Sequence, residues 1–275
     1  MCYTRDEICS NFVPTTGAIF SPKDVRDYQA VYTAAAAEFP KEFELKMVRV
    51  KNQGFVGSCV AHSLSEVIEY FNNKQKNDNT EMSVGYIYGN RETSFHKGSG
   101  MVTRDALKAI MKYGDVPKKD FPHNIEVPYV INEYEKVKDN LFEKSYPYRI
   151  SSYAKLNSDN DVKQALMKNG PVVMAMDWYN DMKVKNGVLT TEKKGAAGGH
   201  CMVIYGWNEQ GWKVQNSWGE YWGNNGCCII PYDIEIREKW AVIDNIIEDM
   251  DIVKPFSFNF GKIIAIILNW ILNLF

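Results

Sequence analysis

Cys59 stands in the stretch QGFVGSCVAH, residues 53–62, and its setting admits two roles. A free cysteine packs as a small apolar group. A cysteine in the first turn of a helix instead meets unpaired amides and the positive end of the helix dipole, which favour the nucleophilic thiolate. The residues after it point to a helix: Val60, Leu64, Val67, Ile68 and Phe71 fall on one face at helical spacing. Ser58 occupies the N-cap position behind a Gly54 and Gly57 turn. Geometry therefore permits a nucleophile at Cys59.

A nucleophile of this kind needs a base, and the chain has four histidines. His62 lies on the same helix and points toward the core. His96 and His123 fall in stretches punctuated by Gly and Pro that read as loops. His200, in GGHCMVIYGW, opens an apolar run with the pattern of a buried strand. Further on, VQNSWGEYWGNNGCCIIPYD places Asn216 ahead of Trp218 and Trp222. An amide can orient an imidazole and an indole can shield that bond from water, so the grouping has chemical sense.

Taken together these residues resemble the papain-like cysteine peptidases. Gln53, GFVGSC, GGH and NSWGEYWG occur in the family's order at plausible separations, and weaker similarity extends the resemblance over roughly residues 38 to 245. The resemblance implies Cys59 as nucleophile, His200 as base and later proton donor, Asn216 as the orienting amide, and Trp218 covering the His–Asn bond. Gln53, with the Cys59 backbone N–H, would donate to the oxyanion. By the same carry-over Ala175 and Cys201 line the pocket for the second substrate residue upstream of the cut, Gly100 presents backbone to the peptide, and Trp222 borders the leaving-group side. The implied reaction is hydrolysis of peptide bonds through a thioester, with no cofactor and no metal. A catalytically silent papain-fold protein and an amidase acting on non-protein amides are the alternatives.

Departures from the family pattern are informative. The family's Trp after the nucleophile is Val60 here, its Phe is His62, and the cysteine three residues before the nucleophile is Val56. A buried His62 requires a polar partner. The stretch ahead of Cys59 is shorter than the usual inhibitory prodomain, so the resemblance implies another restraint, or a short cover formed by residues 21–39.

The fold that would position these groups is α+β: a papain-like two-lobe fold with an N-terminal helical lobe, a C-terminal antiparallel β lobe and the active-site cleft between them. Periodicity predicts helices over 59–72, 82–91, 101–113 (closed by Gly114), 131–143 and 158–168, and strands over 147–155, 171–178, 200–207, 211–216 and 226–231. The expected division is an extension over 1–37, the peptidase domain over 38–250 and an apolar tail over 251–275.

Composition limits the remaining classes. Apolar residues make up 45% and charged residues 24%, and 32 Lys+Arg stand against 34 Asp+Glu, so there is a core but no polybasic surface for nucleic acid. The start, MCYTRDEICSNF, lacks the pattern of a secretory signal. The expected location is cytoplasmic or non-classically released, with Cys2, Cys9, Cys201, Cys227 and Cys228 reduced. The expected partner is a peptide or protein substrate. The run FSFNFGKIIAIILNWILNLF, 256–275, adds an expectation of membrane or self-association, because so apolar a surface does not stay in water.

Overall fold

The longest helix, α1 (Cys59–Lys76), begins where the sequence places it, and its first fourteen residues are all buried. The computed structural model describes residues 15–24, 27, 38–90, 99–122 and 141–244. The expected loops of His96 and His123, most of the helix expected at 131–143, Cys2, Cys9, most of the 21–39 cover and the tail lie outside these residues.

α1 is sunk on every side, so its polar residues need internal partners. The Glu69 carboxylate meets Lys51 at 2.7 Å and Arg49 at 2.6 Å and accepts the Met82 N–H at 2.7 Å. His62 is satisfied within the helix, with Nδ1 2.9 Å from the Ser58 carbonyl and 3.2 Å from the Ser58 hydroxyl. Asn77, in the left-handed conformation, ends the helix by donating to Asn72 and Asn73 carbonyls.

Two further helices complete the helical lobe. α2 (Val84–Gly89) is capped by Ser83, whose hydroxyl accepts the Tyr86 N–H. α3 (Thr103–Tyr113) stops at Gly114, whose φ of +73° no branched side chain tolerates. A four-residue turn of helix, α4 (Phe142–Ser145), and a 3₁₀ turn (Tyr146–Tyr148) lead into the sheet lobe. The strand expected from 147 is therefore shorter, β4 at Ser152–Lys155. α5 (Asp159–Lys168) opens with a reciprocal cap: Ser158 accepts the Asp161 N–H, and Asp161 accepts the Ser158 N–H.

The long strands are β5 (Val172–Tyr179), β8 (Ala196–Asn208), β9 (Gly211–Gln215), β10 (Cys227–Pro231) and β11 (Glu238–Ile243). Short strands β6 (Lys183–Lys185) and β7 (Val188–Thr190) carry no readable alternation in sequence. Their order is β4-β11-β5-β8-β9-β10-β7-β6. The neighbours with recorded registers run antiparallel except β10 and β7, which pair parallel, so the lobe is mixed rather than purely antiparallel.

Period two along β5 and β8 decides what sits where. Val173, Ala175, Cys201 and Val203 face the core that includes Cys59 and α1. Met174, Met176, Trp178, Met202 and Ile204 face the opposite core, which also takes Trp207, Trp218 and α5. This is the α+β papain arrangement of a helical lobe against a sheet lobe, and its central contact is α1 on β8. Among the described residues no helix is long and apolar enough to cross a membrane.

Candidate active site

Ser58 takes the N-cap position, yet its side chain bonds no first-turn amide. The amides of Cys59 and Val60 are left to the Cys59 sulfur, which they stabilise as an anion, as the sequence anticipates. The net result is nevertheless the opposite of that expectation. Cys59 is completely buried, and loss of water pushes its thiol up to about 11, outweighing the amides of Cys59, Val60, Cys201 and Ala18 around the sulfur.

His200 enters from β8 and is also fully buried. Its Nε2 lies 2.7 Å from Asn216 Oδ1. The same Oδ1 accepts the Ser217 backbone N–H at 2.8 Å, and a backbone N–H only donates. That contact fixes which end of the Asn216 amide faces the ring, so Nε2 must carry the hydrogen. Among the described residues Nδ1 is left buried with no hydrogen-bond partner. Burial drives the imidazole down to about 4 while the Asn216 bond pulls upward. Burial thus opposes charge on either group alone.

Trp218 stacks on the imidazole with centroids 4.4 Å apart and planes at 23°. Its face thus covers the imidazole that bonds Asn216. Gln53 is buried beside them; its Oε1 accepts the Ser217 hydroxyl at 2.7 Å and its Nε2 donates to the Val56 carbonyl at 2.9 Å. Ser217 thus orients Gln53 and Asn216 at once. Sequence reasoning assigned it no role, although it stands inside the NSWG motif.

The second hydrogen of Gln53 Nε2 goes to an unexpected acceptor, the Thr15 carbonyl at 3.1 Å, which also receives the Trp218 indole N–H at 3.1 Å. Thr15 belongs to a strap that lies against the site. The Gly17 N–H donates to Gly199, Met101 donates to the Gly17 carbonyl, and β1 (Ala18–Ile19) pairs antiparallel with β8 and parallel with β3 (Met101–Val102). Beyond Ala18, the Ser21 N–H and hydroxyl both bond Glu238, and the buried Arg104 side chain holds the Pro22 carbonyl and Asp27. Close approach requires glycine here: a Cβ on Gly17 would lie 2.2 Å from the Gly57 carbonyl oxygen. The anticipated cover over 21–39 is largely outside the described residues, and the segment that meets the catalytic groups lies just ahead of it.

The remaining expected site residues fall around this strap. Gly100, at φ +109°, leaves the room in which the Gly17 carbonyl of the chain itself sits. Ala175 and Cys201 are register partners on β5 and β8, both fully buried in the core that includes Cys59. Trp222 is half-buried, its ring 5.5 Å from Trp218. Sequence reasoning missed Trp178, which packs near-perpendicular to His200 at 5.3 Å. Only the β5–β8 pairing could have revealed that neighbour.

The profile described as papain family cysteine protease matches residues 39–242, and the chain belongs to that family. It is 29% identical over 212 residues to a cysteine protease of Blomia tropicalis, an alignment that takes 71% of this chain and 61% of that protein. It is 30% identical over 222 residues to a peptidase C1-like protein of Acanthamoeba polyphaga mimivirus, with 74% and 68% of the two chains covered. The chain thus spans about three-fifths of the first of these relatives and two-thirds of the second. In fold it is similar to xylellain, a cysteine protease from Xylella fastidiosa, at a TM-score of 0.74 with 23% identity over 84% of this chain and 96% of that one.

Proposed function

We propose that this chain hydrolyses peptide bonds in peptide or protein substrates through a thioester acyl-enzyme. The Cys59 proton passes to His200 Nδ1 and the thiolate adds to the scissile carbonyl. Gln53 Nε2 and the Cys59 N–H donate to the oxyanion. The imidazolium then protonates the leaving amine as the C–N bond breaks, leaving the acyl group on sulfur. Water, deprotonated by His200, cleaves the thioester and restores the thiol. The observation that carries the reading is the Ser217 N–H on Asn216 Oδ1, because it fixes the one tautomer in which Nδ1 is a base.

A peptide-library digest with wild type and Cys59→Ala, read beside alkylation of Cys59, tests the proposal. Cleavage that disappears in Cys59→Ala supports it. Rapid Cys59 alkylation with no peptide cleavage supports an amidase on other amides. Neither cleavage nor alkylation supports a silent papain-fold protein. The proposal extends to the 256–275 tail as a membrane- or self-association segment, on its apolar composition alone; flotation with liposomes, with and without the tail, tests that part.

A further inference from the structure

Resting on the reading above, we propose that Trp178 is a positioning residue for the reaction, a second indole that, with Trp218, walls the His200 imidazole off from water. His200 faces Met176 across the β5–β8 ladder. Trp178, two residues further along β5, is therefore its diagonal neighbour on the same face of the sheet, within reach of a large ring. The ladder is irregular between Trp178 and Tyr179, a feature that re-aims side chains beside active sites. The outcome is a three-ring cluster: Trp178 meets His200 at 5.3 Å and 76°, and Trp218 at 4.8 Å and 84°, while Trp218 stacks on the imidazole.

Core filling alone does not account for a tryptophan at this position. A buried indole ordinarily brings its N–H to an acceptor. Trp178 is 1% exposed, and its Nε1 has no hydrogen-bond partner among the described residues. An unpaired buried donor is costly, and a phenylalanine would fill apolar space without it. The large ring is retained against that cost where it touches the base. The charged neighbours do not bear on the ring: Asp177 alternates to the other face of the sheet and pairs with Arg237 at 3.3 Å. Among the described residues the polar group bonded to His200 is Asn216, which is neutral.

Water exclusion opposes charge on a buried imidazole, and burial does hold His200 below its ordinary value. Removing one wall readmits water beside the ring. The imidazole then moves up toward its ordinary value, in the direction in which the Asn216 bond already pulls.

The test is the pH titration of the His200 imidazole by NMR in the full chain, which requires no substrate. Wild type should titrate below the ordinary imidazole range. Trp178→Ala should raise the midpoint by about half a pH unit or more, and Trp178→Phe should restore most of the depression. If Trp178→Ala does not fold, Trp178→Gln, which keeps bulk but brings a polar group against the ring, is read in its place with the same expectation. A midpoint that coincides with wild type in Ala or Gln overturns the proposal, because a packing defect lowers the folded fraction without moving the titration of the folded chain. Peptide cleavage that survives Cys59→Ala would instead overturn the peptidase reading beneath it.

Discussion

Gln53 donates its side-chain amide to the Thr15 carbonyl at 3.1 Å, so the group assigned to the oxyanion is held by the chain's own backbone. The strap that follows runs antiparallel to β8 and parallel to β3, and the Ala18 N–H faces the Cys59 sulfur. On the proposed function a substrate peptide needs the same ground. Burial, not the helix terminus, sets the Cys59 thiol, which it pushes up to about 11.

Loosening the strap should therefore expose the nucleophile. In Gly17→Ala the new Cβ would stand 2.2 Å from a backbone oxygen that cannot swing aside, and overpacking of this kind costs about 1–3 kcal/mol. The strap should shift, and Cys59 alkylation in the full chain should accelerate by roughly tenfold, with peptide turnover rising in parallel. Alkylation no faster than in wild type would show that the strap does not limit access.

The catalytic groups were legible in the sequence because their spacing in NSWG, GGH and GSC is local. The helices opening at Cys59 and Ser158 were legible for the same reason. Ser58 resembles a capping serine in sequence, but its hydroxyl turns to His62, and no local pattern encodes that choice. The strap was not legible, because its bonds join residues such as Thr15 and Trp218 that are far apart in the chain. The burial of the polar side of α1 was not legible either: a helix buried on all sides shows no amphipathic stripe to mark Glu66 and Glu69 as internal.

Glu66 yields a prediction about stability. It is fully buried, and burial pushes its carboxyl from an ordinary 4.5 up to about 8, against a Gln215 bond and the Lys51 charge. Below 4.5 both folded and unfolded chains hold the proton. Between 4.5 and 8 only the unfolded chain releases it, so stability falls as pH rises through that window and is flat above it. Asp115, also buried and raised, acts in the same direction. Glu66 Oε1 has no partner, so Glu66→Gln gives up no bond there. The variant should match wild type at pH 4 and exceed it at pH 8.5 by a few kcal/mol, on the order set by the shift. Urea melts at both pH values measure this, and equal stability at pH 8.5 would contradict it.

His200 and Asn216 should separate in their effects on rate. Replacing the proposed base with alanine removes its acceptor for the Cys59 proton, so His200→Ala should lower turnover on the order of 10³-fold or more. Asn216→Ala leaves Nδ1 chemically competent and loses only the bond that fixes the tautomer, so turnover should fall less, about 10- to 100-fold. Single-turnover kinetics compare the two. A larger loss at Asn216 than at His200 would reverse the assigned roles.

Gln53→Ala should act on access and on chemistry in opposite directions. The substitution removes one of the two donors on the Thr15 carbonyl, leaving the Trp218 indole alone. The strap should open more often, and Cys59 alkylation should speed up by a few-fold, the worth of one hydrogen bond. The same substitution removes an oxyanion donor, so the acylation step should slow by roughly 10²–10³-fold while substrate binding changes little. Measuring alkylation rate and kcat on one preparation separates the two functions of the residue. If both fall together, Gln53 is only a structural support for its neighbours; if alkylation rises while kcat falls, one amide serves in turn the strap and the transition state.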